Sequence, residues 1–448
     1  MKILLVYPSR HLPPTDRKKA FALFPPMSLA AIAALTPPDV ELRFVDESFE
    51  EVDIDERVDL VAISAMTAVA PRSYYLAREF RKRGVPVAMG GIHPTVLPQE
   101  AARYVDAVVV GEAEGTWPQL LEDLRHGRLQ DLYSHRGTFP ELDGVPVPRR
   151  DIFDKYPYFF RSALQSARGC PFDCHFCSVT RFFGRTYRMR PVDQVVEEAR
   201  QLRSNKLLFF ADDNIVGNPA RAKELFRALR PLKIVWAGQS SITLAKDEEL
   251  MRLAAESGCA ALFIGFESLS SDNLLGVGKK INVTQEFEAS IRKIQSYGIN
   301  VEGAFIFGFD NDDPSVFERT VEFGVRNKLV GANYAVLTPL PGTKLFAEMA
   351  AAGRIFDHDW TNYDAESVVF YPKRMTPEQL AEGYVWANRE FHSYASIYRR
   401  LGLFSKYSLT KWGFNLARRN SFRRVPLRRP AGMIVPEVVS EMEGVVFS

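Results

Sequence analysis

The sequence predicts an α/β protein in which two strand–helix units follow one another and a helical segment ends the chain. Short apolar runs alternate with amphipathic stretches over residues 1–135, and a second series of the same kind covers residues 161–375. Prolines concentrate between the two series, so residues 136–160 are predicted to be a linker. Residues 376–448 are predicted to be helical and basic.

The composition is typical of a globular protein, with 46% hydrophobic and 25% charged residues. The 57 basic residues nearly balance the 55 acidic ones, so the net charge alone indicates no acidic partner. No apolar run approaches the roughly 20 residues that span a bilayer, and the apolar start at Met1–Pro8 is too short for a signal-peptide core. Four cysteines in 448 residues form no disulfide scaffold, so we expect a cytoplasmic protein.

The first unit contains five predicted strands, each followed by a turn and then a helix-like pattern. Strands that alternate with helices form parallel sheets, and ligands bind at the carboxyl ends of such strands. The loops at those ends, residues 8–12, 64–70, 90–94 and 111–115, are rich in small residues, so a large planar ligand can approach the backbone closely. The predicted strands are Ile3–Tyr7, Leu42–Val45, Leu60–Ser64, Val85–Met89 and Ala107–Val110.

The second unit contains six further predicted strands with amphipathic stretches between them. Six strand–helix units in a row fit a partial (β/α)6 barrel, whose functional loops lie at the carboxyl ends of the strands. The predicted strands are Leu164–Ser166, Leu207–Ala211, Ile234–Ala237, Ala261–Phe266, Val301–Gly308 and Ala332–Thr338.

Three cysteines form the strongest signal, because Cys170, Cys174 and Cys177 have the spacing C-x3-C-x2-C. Three thiolates on one loop can hold three irons of a 4Fe–4S cluster and leave the fourth iron open to another ligand. The alternative is a structural zinc site, which generally needs four ligands. Cys259 lies in an apolar context that predicts a core position, and His175 lies inside the loop as a strained fourth ligand, so the cluster is favoured.

This motif, with the aromatic Phe176 before its last cysteine and its place after the first strand, resembles the radical S-adenosylmethionine superfamily. The resemblance implies that the three cysteines hold the cluster and that its open iron binds S-adenosylmethionine. Phe176 is then expected to contact S-adenosylmethionine as well.

Later strand ends extend the resemblance. It implies contacts to S-adenosylmethionine from Asp212 and Asp213 after the second strand, from Gln239 and Ser240 after the third, and from Glu267 after the fourth. Taken singly, the two aspartates could be a helix N-cap pair and Glu267 an ordinary strand-end carboxylate.

The first unit resembles the Rossmann-like cobalamin-binding domain of one large radical subfamily. The signature D-x-H-x-x-G is absent, since Pro8-Ser-Arg-His11 follows the first strand, so a base-off cobalamin is expected. His93 is a candidate ligand, although a histidine in such a turn is more often a hydrogen-bonding residue, and some family members keep this domain without binding cobalamin. The expected cobalamin-binding residues are Ser64, Thr67, Gly90, Gly91, His93, Gly111 and Glu112.

The resemblance implies that a 5′-deoxyadenosyl radical activates a substrate carbon and that methylcobalamin methylates it. The substrate is expected to be small or lipid-like, as for the hopanoid methylases, and a flavodoxin or ferredoxin is the expected reductant. The alternative is oxidation, cyclisation or rearrangement without methyl transfer, as in the anaerobic magnesium-protoporphyrin ester cyclase. A remote alternative is a cobalamin or iron–sulfur sensor without turnover.

The C-terminal segment is strongly basic, with ten Lys or Arg and no Asp or Glu between Ser396 and Arg429. Tyr394–Arg419 is predicted to form one amphipathic helix with an apolar face and a basic surround. It fits either a lid packed on the barrel with its charges in water, or a helix on the inner surface of an anionic membrane. No motif supports a nucleic-acid patch. The predicted face comprises Ile397, Leu401, Phe404, Trp412 and Leu416, with Arg399, Arg400, Lys406, Lys411, Arg418 and Arg419 around it.

Overall fold

The computed structural model describes residues 1–10, 24–134, 138–203, 207–402 and 408–422. The first sheet is parallel, with strand order β2-β1-β3-β4-β5-β6. All five predicted strands are present, and the short β6, which carries no clear alternation, was not predicted. The strands are β1 Lys2–Tyr7, β2 Glu41–Asp46, β3 Leu60–Ser64, β4 Val87–Gly90, β5 Ala107–Val110 and β6 Leu132–Ser134.

Helices cover both faces of the first sheet. Ile3 and Leu5 belong to a buried cluster with Leu29 and Trp117 on one face, whereas alternate strand residues form a second cluster against Phe80 on the other. Burial of both faces explains why the strands are continuously apolar. The helices are α1 Met27–Leu35, α2 Ala70–Arg81, α3 Ile92–Val96, α4 Pro98–Ala102 and α5 Thr116–Arg125.

The second sheet is also parallel, with strand order β14-β13-β12-β11-β10-β7, and contains the six strands predicted for this unit. Two short antiparallel strands, β8 and β9, form a ribbon of their own. The strands are β7 Ala163–Leu164, β8 Ala167–Arg168, β9 Arg188–Met189, β10 Leu208–Phe210, β11 Trp236–Ser240, β12 Cys259–Glu267, β13 Asn300–Phe307 and β14 Gly331–Val336.

Helices between these strands bury one large apolar cluster that includes Phe210, Trp236 and Phe266. Cys259 is buried in this core, as predicted. The helices are α6 Val179–Phe183, α7 Val192–Leu202, α8 Pro219–Leu229, α9 Glu248–Glu256, α10 Ser271–Gly276, α11 Phe287–Ser296, α12 Val316–Arg326 and α13 Lys344–Ala351.

The C-terminal segment folds as α14 Pro377–Phe391, α15 Tyr394–Leu401 and α16 Ser408–Phe422. The prediction of one continuous helix over Tyr394–Arg419 is therefore wrong. Its basic residues also do not all face water, since buried Arg400 donates to the carbonyl oxygen of Leu329 at 2.7 Å. Arg418 donates to Glu302 at 2.7 Å.

These contacts dock α15 and α16 on the edge of the second sheet at β14. The predicted residues Phe404 and Lys406, and His11 of the first unit, lie outside the described residues. Within the described ranges, no helix is both long and apolar enough to cross a bilayer.

Candidate active site

The three cysteines lie on a loop that the β8–β9 ribbon closes. Arg168 on β8 is paired directly with Arg188 on β9, and Cys170, Cys174 and Cys177 lie between the two strands. Gly169 has a φ of +87°, and a Cβ at this position would collide with the carbonyl oxygen of Thr186. The loop therefore needs glycine beside its first cysteine.

The cysteine thiols are partly exposed, and burial raises the pKa of each, to about 11 for Cys174 and about 12 for Cys177. The positive charge of Lys279 opposes this shift at Cys170 and Cys174, because it favours the thiolate. Soft thiolates next to a buried cation fit an iron–sulfur cluster, whose binding deprotonates cysteine.

The geometry differs from that of a mononuclear zinc site. Within the described part of the chain, no group of at least three His, Cys, Asp or Glu side chains could hold a single metal ion. A cubane cluster attaches each thiolate to a different iron, so it does not require the sulfurs to surround one point. The donor set therefore fits a cluster better than zinc.

The cysteine loop is held from two later elements. The His175 N–H donates to the carbonyl oxygen of Val277 at 2.9 Å, and the Leu345 N–H donates to that of His175 at 2.9 Å. Next to the first contact, Lys279 forms an ion pair with Glu267 in which both side chains are 11% exposed. Glu267 adopts a φ of +65°, which is uncommon for a residue with a side chain.

The two aspartates after β10 contact the start of the cysteine loop. Asp212 is fully buried and accepts hydrogen bonds from the Ser166 N–H at 2.6 Å and the Ala167 N–H at 3.3 Å. Asp213 accepts one from the Gly169 N–H at 3.1 Å. Burial raises the pKa of Asp212 to about 6. Both carboxylates therefore hold the loop, and the Asp212 carboxylate is enclosed by the chain itself.

The other residues predicted to contact S-adenosylmethionine lie around the same strand ends. Gln239 and Ser240 end β11, where the Gln239 carbonyl accepts the Ile215 N–H at 2.9 Å. Phe176 packs edge-on against Phe309, with ring centroids 6.5 Å apart. The segment after β13 thus contacts the cysteine loop through Phe309, and Gln239 and Ser240 end the strand between β10 and β12.

A cavity of about 350 Å³ lies between the two units. One wall is apolar and comes from α1, with Met27, Ile32 and Leu35, and from Trp117 on α5. The other wall comes from the second unit and includes Arg168 and Gln165 beside the cysteine loop. Five of the residues predicted for cobalamin line this cavity, namely Ser64, Gly90, Gly91, Gly111 and Glu112.

Two of the predicted cobalamin residues, Thr67 and His93, are not among the residues that line the cavity. His93 is fully buried, and its Nε2 lies 2.9 Å from the Tyr74 hydroxyl and 3.2 Å from Glu100. Glu100 also accepts the Trp360 indole N–H at 3.0 Å, so His93 belongs to a polar cluster that joins the first unit to the segment after α13. These contacts fit the alternative that His93 is a hydrogen-bonding residue and not a ligand of cobalamin.

Four charged side chains join the units beside the cavity, and we call Glu112, Glu114, Arg168 and Arg188 the interdomain clamp. Glu112 forms ion pairs with both Arg168 and Arg188, and Arg168 also pairs with Glu114 at 2.6 Å. Neither this role nor that of Lys279 was predicted from the sequence. Arg168 and Glu114 lie next to predicted site residues, but their pairing depends on tertiary structure.

Comparisons with known proteins match each of the two units to a protein family. The model of the radical SAM superfamily matches residues 164–324, and that of the B12 binding domain matches residues 22–121. The bacteriochlorophyllide d C-12(1)-methyltransferase of Chlorobaculum tepidum is 31% identical over 387 residues, which cover 84% of this chain and 84% of that protein. The anaerobic magnesium-protoporphyrin IX monomethyl ester cyclase of Cereibacter sphaeroides is 26% identical, over 89% of this chain and 71% of that protein.

Among solved structures, the fold is similar to that of the radical S-adenosylmethionine methyltransferase TsrM from Kitasatospora setae with cobalamin and a 4Fe–4S cluster bound. The TM-score is 0.68 at 17% identity, and the match covers 94% of this chain and 99% of that one. This similarity concerns the arrangement of the two sheets.

Proposed function

Because this chain belongs to the B12-binding radical S-adenosylmethionine enzymes, we propose that it methylates an unactivated carbon of an apolar substrate. The predicted family is confirmed, and with it the prediction that the protein is an enzyme rather than a sensor. The predicted cofactors, a 4Fe–4S cluster, S-adenosylmethionine and cobalamin, are confirmed as well. When bound, these supply a radical that activates the substrate carbon and a methyl group to replace its hydrogen.

One observation carries the proposal: the cavity between the units is bounded by strand ends of the first unit and by Arg168, two residues before Cys170. A methyl group and a radical must meet at one carbon, so the two cofactor sites must face each other. The interdomain clamp lies at this boundary and holds the units together. Closure between them also keeps water from the reacting carbon.

The residues divide between the cofactors as follows. Cys170, Cys174 and Cys177 hold the cluster, and Phe176, Asp213, Gln239, Ser240 and Glu267 surround S-adenosylmethionine. Asp212 acts by positioning the cysteine loop. The glycines and Ser64 along the cavity accept cobalamin, whereas His93 and Thr67 support the contact between the units. Residues 1–135 are then the cobalamin-binding domain, 136–160 the linker, 161–375 the partial (β/α)6 barrel and 376–448 a C-terminal helical segment.

A planar tetrapyrrole is the substrate class that the relatives support best. The methyltransferase at 31% identity acts on bacteriochlorophyllide d, and the cyclase acts on a magnesium-protoporphyrin ester. A lipid-like polyprenoid is the other candidate. The cyclase relative favours oxidative ring closure as a second candidate reaction, which keeps the same cofactors and transfers no methyl group.

The test is turnover by the anaerobically reconstituted full chain with reductant and S-adenosylmethionine. We expect 5′-deoxyadenosine, S-adenosylhomocysteine and a tetrapyrrole heavier by one methyl group, measured by mass spectrometry. Replacing any of the three loop cysteines by Ala should abolish these products, whereas Cys259→Ala, which changes a buried core thiol, should retain them. Product that is oxidised but not heavier would favour the cyclase reaction, and absence of 5′-deoxyadenosine would exclude both.

A flavodoxin or ferredoxin supplies the electrons in this proposal, and the protein is cytoplasmic with a peripheral contact to the inner membrane surface. The membrane contact is supported by Tyr398, 55% exposed on α15, and Leu409, 92% exposed on α16, within the basic segment. Arg400 and Arg418 do not contribute, because they contact the barrel.

Flotation of the full chain with phosphatidylglycerol vesicles tests this contact. The double variant Tyr398→Ser and Leu409→Ser should float less than wild type, whereas Leu132→Ser, which changes a leucine of the first unit as exposed as Tyr398, should float as wild type does. Equal flotation of all three proteins would remove the membrane contact.

A further inference from the structure

The interdomain clamp connects the two cofactor sites through buried charge. The Glu112 side chain is 2% exposed and lies between two arginines that are 12% and 13% exposed. Each ion pair of the clamp joins a carboxylate of the first unit to an arginine of the second, so the pairs form only while the two units are in contact.

On the second unit, the clamp reaches both strands of the ribbon that closes the cysteine loop. Arg168 and Arg188 are direct cross-strand neighbours, so a single carboxylate that binds both guanidinium groups holds the two ends of the loop together. Arg188 also donates to the carbonyl oxygen of Pro140 at 2.8 Å, which adds the linker to the same contact. Docking of the first unit thereby stabilises the loop that carries Cys170, Cys174 and Cys177.

On the first unit, the clamp belongs to the cavity wall. Gly111, Glu112 and Glu114 line the cavity on one side, and Arg168 lines it on the other. A ligand that fills the cavity therefore contacts both units at once and adds to the free energy that keeps them docked. Binding in the cavity and closure of the ribbon favour the same arrangement.

We infer that the Glu112 clamp links the two cofactors thermodynamically: cobalamin in the cavity slows loss of the cluster, and the cluster strengthens cobalamin binding. Such coupling is reciprocal, since each ligand stabilises the docked state that the other prefers. Glu112 is a positioning residue in this role, because it acts on the cysteine loop through the two arginines. The inference rests on the proposed cobalamin and cluster sites.

The experiment measures retention of iron by the anaerobically reconstituted full chain during incubation with a chelator, with and without hydroxocobalamin. After desalting, iron per chain is determined by mass spectrometry, so corrinoid colour does not interfere. In wild type we expect cobalamin to slow iron loss by about fivefold or more, the lower end of typical coupling. In Glu112→Gln, which keeps the shape but removes the charge, this protection should disappear.

Glu122→Gln is the matched control, because Glu122 lies on α5 of the same unit with its side chain 56% exposed. This control should show the same protection as wild type. If circular dichroism shows that Glu112→Gln does not fold, Arg188→Lys takes its place, since lysine keeps the charge but lacks the planar fork that contacts both Glu112 oxygens. It should reduce the protection.

The possible outcomes distinguish failure of the proposed cobalamin site from failure of the proposed linkage. A wild-type chain that binds no hydroxocobalamin would overturn the proposed cobalamin site. Binding without protection of the cluster would overturn the linkage alone. Protection that survives intact in the folded Glu112→Gln or Arg188→Lys variant would show that the clamp does not carry it.

Discussion

The Ser166 N–H donates a hydrogen bond of 2.6 Å to the Asp212 carboxylate, and this contact ties the end of β10 to the start of the cysteine loop. The Ser166 hydroxyl donates to the same carboxylate at 2.5 Å, and the Ala167 N–H at 3.3 Å. With these bonds made and the side chain fully buried, Asp212 acts on the loop, whereas Asp213 is only partly buried.

Asp212→Asn should therefore retain the cluster, whereas Asp212→Ala should lose it. The Asn oxygen can still accept the two backbone N–H groups, but Ala leaves three buried donors without a partner and costs about 3 kcal/mol or more. Iron per chain after anaerobic reconstitution and S-adenosylmethionine affinity are the measurements. If the Asn variant kept its iron but lost S-adenosylmethionine binding, the carboxylate would contact that ligand directly. The exposed Asp131→Asn is the control.

Lys279→Met should lower the midpoint potential of the cluster. The buried ammonium group lies near Cys170 and Cys174, where it stabilises added negative charge. Loss of roughly 1.4 kcal/mol of that attraction corresponds to about 60 mV for one electron. A redox titration followed by electron paramagnetic resonance measures the shift. Lys280→Met, one residue on and exposed, should leave the potential unchanged. Equal potentials in the two variants would contradict the role of Lys279.

Gly91→Ala should abolish cobalamin binding. Gly91 has a φ of +105°, and a Cβ there would lie 2.7 Å from the carbonyl oxygen of Ala65, so either the turn or β3 must move. Both changes alter the cavity wall. Gly84→Ala is the matched control, since its φ of +77° carries similar backbone strain but its Cβ would meet nothing within 4 Å. It should cost only about 1 kcal/mol of stability and keep hydroxocobalamin affinity. Affinity is measured by equilibrium dialysis.

His392 should make the C-terminal helices sensitive to acid. Burial lowers its pKa from 6.5 to about 3, so the unfolded state binds the extra proton between these pH values. The contribution of His392 to stability is therefore complete above about pH 6.5 and is lost as the pH falls towards 3. Between pH 7.5 and 5.5 the loss should be about 1.4 kcal/mol.

Native-state hydrogen exchange of amides in α14 and α15 measures this loss. In His392→Asn the decrease should be smaller than in wild type, because asparagine does not titrate. His126→Asn, which changes a histidine that is 54% exposed, should keep the wild-type dependence. The proposal for His392 fails if both variants respond to pH as wild type does.

The sequence-based predictions that the structure confirms are those of strands with a regular pattern of apolar residues. All six strands of the second sheet were predicted, because alternating apolar residues and intervening amphipathic helices repeat in a regular order. Helix α1 was not predicted, because its residues Met27–Leu35 are apolar on nearly every side and so give little helical periodicity. The short β6 was missed for a similar reason, since three residues carry no alternation.

Residue spacing did not predict where individual side chains point. Thr67 and His93 follow the same strand ends as Ser64 and Gly91, yet His93 turns into a hydrogen-bonded cluster with Tyr74 and Glu100. In the C-terminal segment, the lid alternative placed the basic residues in water, but the structure buries Arg400 against carbonyl oxygens of the second unit. Neither outcome follows from residue spacing.

By itself, the sequence determined the cysteine loop and its place after the first strand of the second sheet, because the three cysteines lie within eight residues of one another. Only the tertiary structure decided that Glu112 joins Arg168 and Arg188, which are 56 and 76 residues away along the chain. Local spacing fixes which side chains share a loop or a face. Contacts between distant elements depend on how two buried surfaces fit together, and a linear pattern does not contain that information.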